Sequence, residues 1–554
     1  MKYLKFSNYL RRLLRFCALS LIPALILFLF TGCSREEDDG TGYLFTCTIP
    51  GNPECLDPQY TDNPNSETVL ANMMEGLLRL DAYGRILPAG AESYQISDDG
   101  LTYEFKLRNN CYWFASGMEQ KDAKPVTARD YVFAFRRLLD PDTHAPHAED
   151  FLSIENASGI LNGSQKPETL GVIAQDGGTL IFHLEEPDEE FLMLLTQNCA
   201  VPCNEDFFLS TKGRYGLSQE TILCNGAFYL TKWAYDDYGS GNFLTFRKNS
   251  LYHDVDQVSP SSLQFNIMRS QSEVDEDFSK KNSDCILTTT YPGDYLTSGD
   301  YQVEANSVRT WGLIFNPENI TLQNKQFRKA LAAGIDRETN AVRSYQSFTS
   351  AYGMIPPAVR FLGRSYRELC ADEPLGIPFD PDSAVTLFQE LELPMSQMNS
   401  LRILIPDSFD NQQALLSICQ EWQNLFHQYI GIESVPNSEY EKRLADGDYS
   451  IALYSFKPEY HNCESLLKVI AENAEFLGID PTELNACLEQ IAHTEQTAET
   501  LEYYQKCEEI ILGELAFIPL YYQNLYFIST AKNTGIWCNP FTRAIYFRDA
   551  KHFS

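Results

Sequence analysis

Residues 98–141 read DDGLTYEFKLRNNCYWFASGMEQKDAKPVTARDYVFAFRRLLDP, and two periodicities follow one another inside that stretch. From Leu101 to Arg108, apolar Leu101, Tyr103, Phe105 and Leu107 alternate with polar Thr102, Glu104, Lys106 and Arg108. A repeat of two puts successive side chains on opposite faces, so this segment is a half-buried strand. Asp99-Gly100 just before it punctuates two extended segments in the manner of a hairpin. The repeat then changes. Thr127 and Asp130 make a capping-box pattern, and Val132, Phe135, Leu138 and Leu139 follow at helical spacing until Pro141 stops the helix. The same alternation of element types continues outward. Helices are predicted over Gln326 to Ile335 and over Asp382 to Leu393, the second with Ala384, Leu387, Phe388 and Leu391 on one stripe. Strands are predicted over Thr179 to Leu184 and Phe243 to Arg247. Strands and helices interspersed in this way define a mixed α/β class. No repeat of 20–50 residues is present, which argues against solenoids and propellers.

The first residues carry an address. Lys2, Lys5, Arg11, Arg12 and Arg15 precede an uncharged run from Phe16 to Gly32, and Thr31-Gly32 leads into Cys33. A basic head, an apolar middle and small residues before a processing point describe an export signal over residues 1–32. A cysteine in that place resembles the lipobox of bacterial lipoproteins, which makes Cys33 the expected lipidation site; Phe30 stands where that motif usually has Leu. The alternative is an uncleaved signal anchor in which Cys33 is an ordinary thiol. Either way the bulk of the chain lies outside the cytoplasm, at the outer face of a membrane. Residues 33–42 are polar and Gly-containing, and read as a flexible tether. No later segment is apolar enough to span, so a channel or permease is not expected.

The 554-residue chain has a net charge of -33, and removing residues 1–32 takes away five cations and no acid, leaving about -38. Nucleic acid is thereby excluded as a partner, because phosphate binding needs a basic footprint. Of 15 cysteines, Cys17 and Cys33 belong to the leader and anchor; the 13 others are irregularly spaced and read mostly as small buried hydrophobes. There is no G-x-S-x-G, H-E-x-x-H, Walker or G-x-G-x-x-G motif, and no Cys/His ligand set. His144 and His147, in a Pro-bearing loop, form the closest histidine pair and lack further ligands. No metal, cofactor or catalytic role is expected.

The informative pattern is a series of nine blocks in a fixed order. PECLDPQ (53–59) is followed by VLANMMEGLLRLD (69–81), DDGLTYEFKLR (98–108) and PVTARDYVFAFRRLLDP (125–141). Then come NGAF (225–228), RKNSLYHD (247–254), FRKALAAGIDRE (327–338), YGMIPP (352–357) and IPLYY (518–522). Together they closely resemble the oligopeptide- and dipeptide-binding proteins of ABC importers, over residues 43 to about 530. That resemblance implies an α/β, two-lobe periplasmic-binding-protein-like fold with a hinge and an additional inserted domain. Lobe one would comprise 43–70, 205–305 and 525–554, the inserted domain 71–204, and lobe two 306–524. It also implies a monomer that captures peptide-like ligands, delivers them to ABC permease subunits and is held to the membrane by its lipid anchor.

Peptide-binding members of that family hold an extended ligand by strand addition, with backbone groups from both lobes and pockets for the side chains. By resemblance the lobe-two strand is Ile451 to Lys457, with Ser455, Phe456 and Lys457 at the pairing positions, and the lobe-one counterpart is Asp62, Asn63 and Pro64. The family then presents an Asp in a Trp-x-x-Asp-Tyr stretch that pairs with the ligand's α-amino group. Here the stretch is Phe456-Lys457-Pro458-Glu459-Tyr460, so Glu459 keeps the carboxylate on one more methylene and Phe456 replaces the Trp wall. Trp311, Tyr440 and His147 fall at or near cleft-lining positions. Two other readings stand beside this one: the same scaffold holding a sugar oligomer, a metal chelate or a signalling peptide, and a membrane-tethered hydrolase.

Overall fold

The computed structural model describes residues 43–239, 241–343, 347–370, 375–393, 395–398, 400–409, 411–458, 462–492 and 498–553. The strands that position the site run in chain order as β1 (Tyr43–Pro50), β2 (Ala91–Ile96), β3 (Thr102–Leu107), β4 (Val172–Ala174), β5 (Thr179–His183), β6 (Phe228–Ala234), β7 (Asn242–Lys248) and β8 (Pro260–Met268). They continue as β9 (Cys285–Thr288), β10 (Tyr301–Phe315), β11 (Phe348–Ser350), β12 (Arg402–Pro406), β13 (Gly431–Val435), β14 (Ile451–Phe456) and β15 (Phe517–Thr530). Among the helices are α1 (Pro64–Met73), α2 (Ala128–Leu138), α3 (Lys325–Ala333), α4 (Pro381–Glu390), α5 (Cys463–Glu472) and α6 (Ala498–Gly513). The periodic segments of the sequence are all here, with ends moved by at most three residues, as expected where helices and strands fray.

The capping box at Thr127 and Asp130 forms as expected and starts α2. That helix lays its apolar stripe on the small sheet β2-β3-β5-β4, where Phe135 meets Phe182 edge-on at 5.0 Å and Phe182 meets Phe105 at 5.8 Å. The predicted hairpin joins β2 to β3 through Gly100, whose φ of 71° is the left-handed conformation that glycine adopts without strain. The chain leaves the main sheet after β1 to build this unit and returns to it at β6, so the unit is an insertion.

The main sheet has 11 strands in the order β6-β7-β8-β1-β9-β15-β10-β14-β12-β13, with β11 also on β15. Its centre is one long antiparallel ribbon, β10 against β15, running from Tyr301 opposite Thr530 to Ile314 opposite Phe517. β9 joins one end of the ribbon, at Cys285 opposite Ser529. β14 joins the other end, where Thr310 faces Phe456 and Phe315 faces Ile451. The ribbon is therefore shared by the two lobes. Its register slips between Ser307 and Arg309 and again between Trp311 and Gly312. Such bulges bend and twist a strand pair locally. Gly312 is required there, because a Cβ would collide with the Ile518 carbonyl and the Phe517 ring.

Separate hydrophobic clusters fill the two sides. Phe45, Phe105, Phe135 and Phe228 belong to one, and Ile314, Phe456, Leu466 and Phe517 to another. The 13 cysteines after residue 42 are free thiols and 11 of them are buried, as the sequence suggested for small apolar side chains. Burial pushes the Cys224 thiol up to about 12. Among the described residues no helix is long and apolar enough to cross a membrane.

Candidate ligand-binding site

β14 is only partly covered. Asn316 donates its N–H to the Ser450 carbonyl at 3.0 Å, beside the ladder that pairs Gly312 with Tyr454 and Thr310 with Phe456. Backbone groups alternate sides along a strand, so those of even-numbered residues face β10 and those of Leu453 and Ser455 face away. On that second side β12 pairs only at Ile403 with Ile451 and Leu404 with Ala452. The Leu453 carbonyl accepts the Tyr440 hydroxyl at 2.5 Å. Beyond it, among the described residues, no strand covers the edge at Ser455.

The side chains of β14 alternate too. Phe456 points into the core at 3% exposure, with Tyr454 and Phe517 at ring distances of 5.0 and 5.2 Å. The expected aromatic wall is thus a core residue, because its neighbours Ser455 and Lys457 take the cleft face. Ser455 Oγ lies 3.4 Å from Arg309 Nη1, and Lys457 Nζ donates to the Phe541 carbonyl at 2.6 Å.

Lys457 lines a cavity of about 230 Å³ together with Asp62, Pro64 and Glu67, with His147, with Gln197, Asn198 and Cys199, and with Phe541, Thr542 and Arg543. The start of α1 sets its acidic end. Asn63 caps that helix by accepting from Asn65 N at 2.9 Å, and Pro64 occupies the first turn, where its missing N–H costs nothing. Glu67, one turn in, accepts from Asn198 Nδ2 at 2.7 Å. Burial pushes the Glu67 carboxyl up to about 7, against the opposing pull of the Asn198 bond and of His147, with Asp62 adding to the rise. His147 Nδ1 lies 3.0 Å from Asp150 Oδ2. The other end is basic. Arg543, half-buried and with a left-handed φ of 63°, is depressed below the usual guanidinium range by burial. Arg309 is depressed by burial first and by Arg543 second. Among the described residues no group of three or more His, Cys, Asp or Glu side chains is placed to hold a metal ion.

Of the residues singled out in sequence, the cavity brings together Asp62, Pro64, His147 and Lys457, while Ser455, two residues before Lys457 on β14, accepts from Arg309. Asn63 faces a different hollow, beside Asn52, Asn65 and Arg269. Tyr440 supports β14 from behind. Trp311 stands in β10 opposite Ser455, with its ring 4.9 Å from Phe409 and its indole N–H on Gln523 Oε1 at 3.0 Å. Glu459 and Cys33 lie outside the described residues. The sequence reading missed Glu67, Asn198, Arg309 and Arg543. Glu67 had a local signal, an acid in the first turn of a capped helix; Arg309 and Arg543 had none.

Comparison with known proteins agrees with this architecture. The family model described as bacterial extracellular solute-binding proteins, family 5 (middle), matches residues 85–476. A dipeptide-binding protein of Bacillus subtilis is 26% identical over 505 residues, covering 88% of each chain. A probable deoxycholate-binding periplasmic protein of Escherichia coli is 24% identical, covering 86% of this chain and 87% of its own. The substrate-binding domain of an oligopeptide ABC transporter from Bacillus anthracis superposes with a TM-score of 0.70 at 23% identity, covering 92% of this chain and 99% of that one, which shows the two-lobe fold.

Proposed function

Because this chain belongs to the bacterial extracellular solute-binding proteins of family 5, we propose that it captures oligopeptides or peptide-like solutes outside the cytoplasm and delivers them to an ABC permease, without catalysing a reaction. The observation that carries this reading is the uncovered edge of β14 at Ser455, lying against a cavity with carboxylates at one end and cations at the other. An extended peptide completes a strand edge with its own backbone and brings charges of both signs. Ser455 and Lys457 pair with the ligand backbone from lobe two, and Asp62 to Pro64 approach from lobe one. Glu459, two residues beyond Lys457 in sequence, receives the ligand's ammonium group. Lobe one takes 43–70, 205–305 and 525–554, the insertion 71–204 and lobe two 306–524. Residues 1–32 direct export, and acylated Cys33 tethers the mature chain, as a monomer, to the membrane.

Calorimetric titration with tetra-alanine, free and N-acetylated, tests the reading. Glu459→Gln leaves the ammonium against a neutral partner, and breaking half of a buried pair costs about 3–5 kcal/mol, at least about a hundredfold in affinity. Acetylating the peptide removes the same interaction, so the two losses do not add. Equal affinities across all four combinations would exclude recognition of free-amine peptides at Glu459. Scattering with and without peptide then reads the hinge: the radius of gyration falls on binding, and an unchanged value would remove the closure that delivery needs. For the anchor, Cys33→Ala abolishes metabolic labelling with fatty acid; label retained in that variant would remove the lipoprotein.

A further inference from the structure

A second cavity lies apart from the one at Lys457 and shares no lining residue with it. Its volume is about 360 Å³, within the range of small-molecule sites. One wall belongs to the inserted unit: the turn at Tyr83 to Arg85, and Glu189, Glu190 and Met193 where a short helix follows β5. The other comes from segments after β10: the hairpin of Arg360–Phe361 with Arg364–Ser365, the start of α5, and Tyr504 of α6. The two walls touch where Asn462 Nδ2 donates to Glu190 Oε1 at 2.6 Å. Three carboxylates line the cavity, those of Glu189, Glu190 and Glu464. Its arginines are engaged elsewhere, Arg85 with Asp81 at 2.7 Å and Arg360 with the Gly363 carbonyl at 3.2 Å. Lys468 answers Glu464 at 2.8 Å. Glu189 and Glu190 have no ion pair among the described residues. Burial first and Glu464 second push the Glu190 carboxyl up to about 7; Asp188 adds to the rise, and Lys468 and Asn462 oppose it. A separate observation points to a ligand. Tyr504 lines the cavity at 3% exposure, and its hydroxyl makes no hydrogen bond among the described residues. Buried hydroxyls are nearly always bonded, so one left open at a cavity wall is a place for a partner. Burial, then Glu464, Cys463, Glu189 and Glu190, raise its phenol above the usual range, so it keeps its proton and offers oxygen lone pairs.

Carboxylates drawn partly out of water are costly until a cation meets them. We propose that this cavity binds a small organic cation, an alkylammonium held by Glu189, Glu190 and the Tyr504 hydroxyl. The apolar part of the lining selects the class: Phe361 and Met193 give a methylene chain a wall to lie on. A bare metal ion has no use for that wall, and among the described residues no group of three or more His, Cys, Asp or Glu side chains is placed to hold one. With Glu464 already answered by Lys468, two carboxylates remain, and a diammonium matches them in charge. The ammonium N–H groups donate to carboxylate oxygens, and the phenol oxygen accepts one more. Because its walls meet only through contacts such as Asn462 with Glu190, a bound cation fastens the inserted unit to the start of α5. This site stands independently of the peptide reading, since its residues are not those of the cleft at Lys457.

The full chain is titrated calorimetrically with 1,4-diaminobutane at physiological ionic strength, and in parallel with butylamine, butane-1,4-diol and magnesium chloride. The diamine is expected to bind about tenfold more tightly than butylamine, and the diol not at all. Glu190→Gln weakens the diamine by about tenfold or more, and Tyr504→Phe by about fivefold. Near pH 7 the entering cation also drives a proton off Glu190, so the heat depends on the buffer, and Glu190→Gln abolishes that dependence. Either variant decides the matter if the other fails to fold. Equal diamine affinity in the wild type and both variants would mean diffuse attraction to a chain of net charge -33, and would overturn the site. A loss in Glu67→Gln with none in Glu190→Gln would put the diamine in the cleft at Lys457 and overturn it too. Magnesium binding more tightly than the diamine, with the same sensitivity to Glu190→Gln, would make this a metal site and overturn the organic cation. An absence of saturable heat from the diamine at millimolar concentration would also overturn the proposal.

Discussion

Arg367 and Arg309 lie at two places around the same long ribbon and are treated in opposite ways. Arg367 meets Glu508, whose side chain is fully buried and whose Oε1 also accepts the N–H groups of Met354 and Ile355, at 2.6 and 2.9 Å. Glu508 raises the Arg367 guanidinium above its usual range despite the opposing effect of burial. Around Arg309, burial and a second arginine both act in the lowering direction. Shortage of acid is not the cause, since the chain carries 76 Asp and Glu against 43 Lys and Arg. The first site spends its charges on holding the Met354 loop to α6. The second meets only a neutral hydroxyl, Ser455 Oγ at 3.4 Å, and the Trp311 ring among the described residues.

The largest effect expected from breaking this contrast is at the matched site. Glu508→Gln leaves Arg367 buried without its partner and should cost about 3–5 kcal/mol in urea unfolding. A loss under about 1 kcal/mol would mean that the buried pair behaves as a surface one, and the distinction between the two sites would fail.

Next in size is the acidic end of the cavity, where pH is the probe. Below about pH 4.5, the ordinary value of the group, Glu67 is protonated in the folded and the unfolded chain and contributes nothing. As pH rises toward 7 the unfolded chain ionises first, which draws the equilibrium toward unfolding; above 7 the full cost is present. Glu67→Gln should therefore leave stability near pH 4 unchanged and raise it at pH 8, by at most about 3 kcal/mol. Thermal melts from pH 4 to 8 check this, and parallel curves for the two proteins would remove the buried carboxyl from the account. A ligand ammonium brought to this end should lower the Glu67 value and release a proton near pH 6.5, visible as a buffer-dependent heat in calorimetry.

The smallest effect is on the open face of β3, where Lys106 Nζ lies 2.7 Å from Glu104 Oε1 with much of both side chains in water. Lys106→Met should change stability by less than about 0.5 kcal/mol. A larger change would mean that proximity alone assigns energy to an ion pair here, and the matched site would lose its special standing.

How much of the site could be read in advance follows from the range of each signal. The resemblance to the peptide-binding family pointed to Asp62, Pro64 and Lys457, and folding lines one cavity with all three. The alternation along Ser455, Phe456 and Lys457 was also in plain view: a repeat of two sets Phe456 opposite its neighbours, so it belongs to the core rather than to the cleft wall. Arg543 is different. It lies beyond the last block of the family resemblance, in a segment with no periodicity, and nothing near it in the chain marks it.

By itself, the order of residues determined the elements and the architecture: strand 102–107 from its alternation, α2 from its capping box and stripe, and the two-lobe scaffold from nine blocks in register. These are local or collective properties, written in neighbouring residues. Only the tertiary structure decided which charges face each other, because a guanidinium's partner is whatever the folded chain carries to within a few ångströms. Folding brought Glu508 to Arg367 and left Arg309 against the Ser455 hydroxyl. Electrostatic attraction depends on distance and burial, and neither is a property of sequence separation.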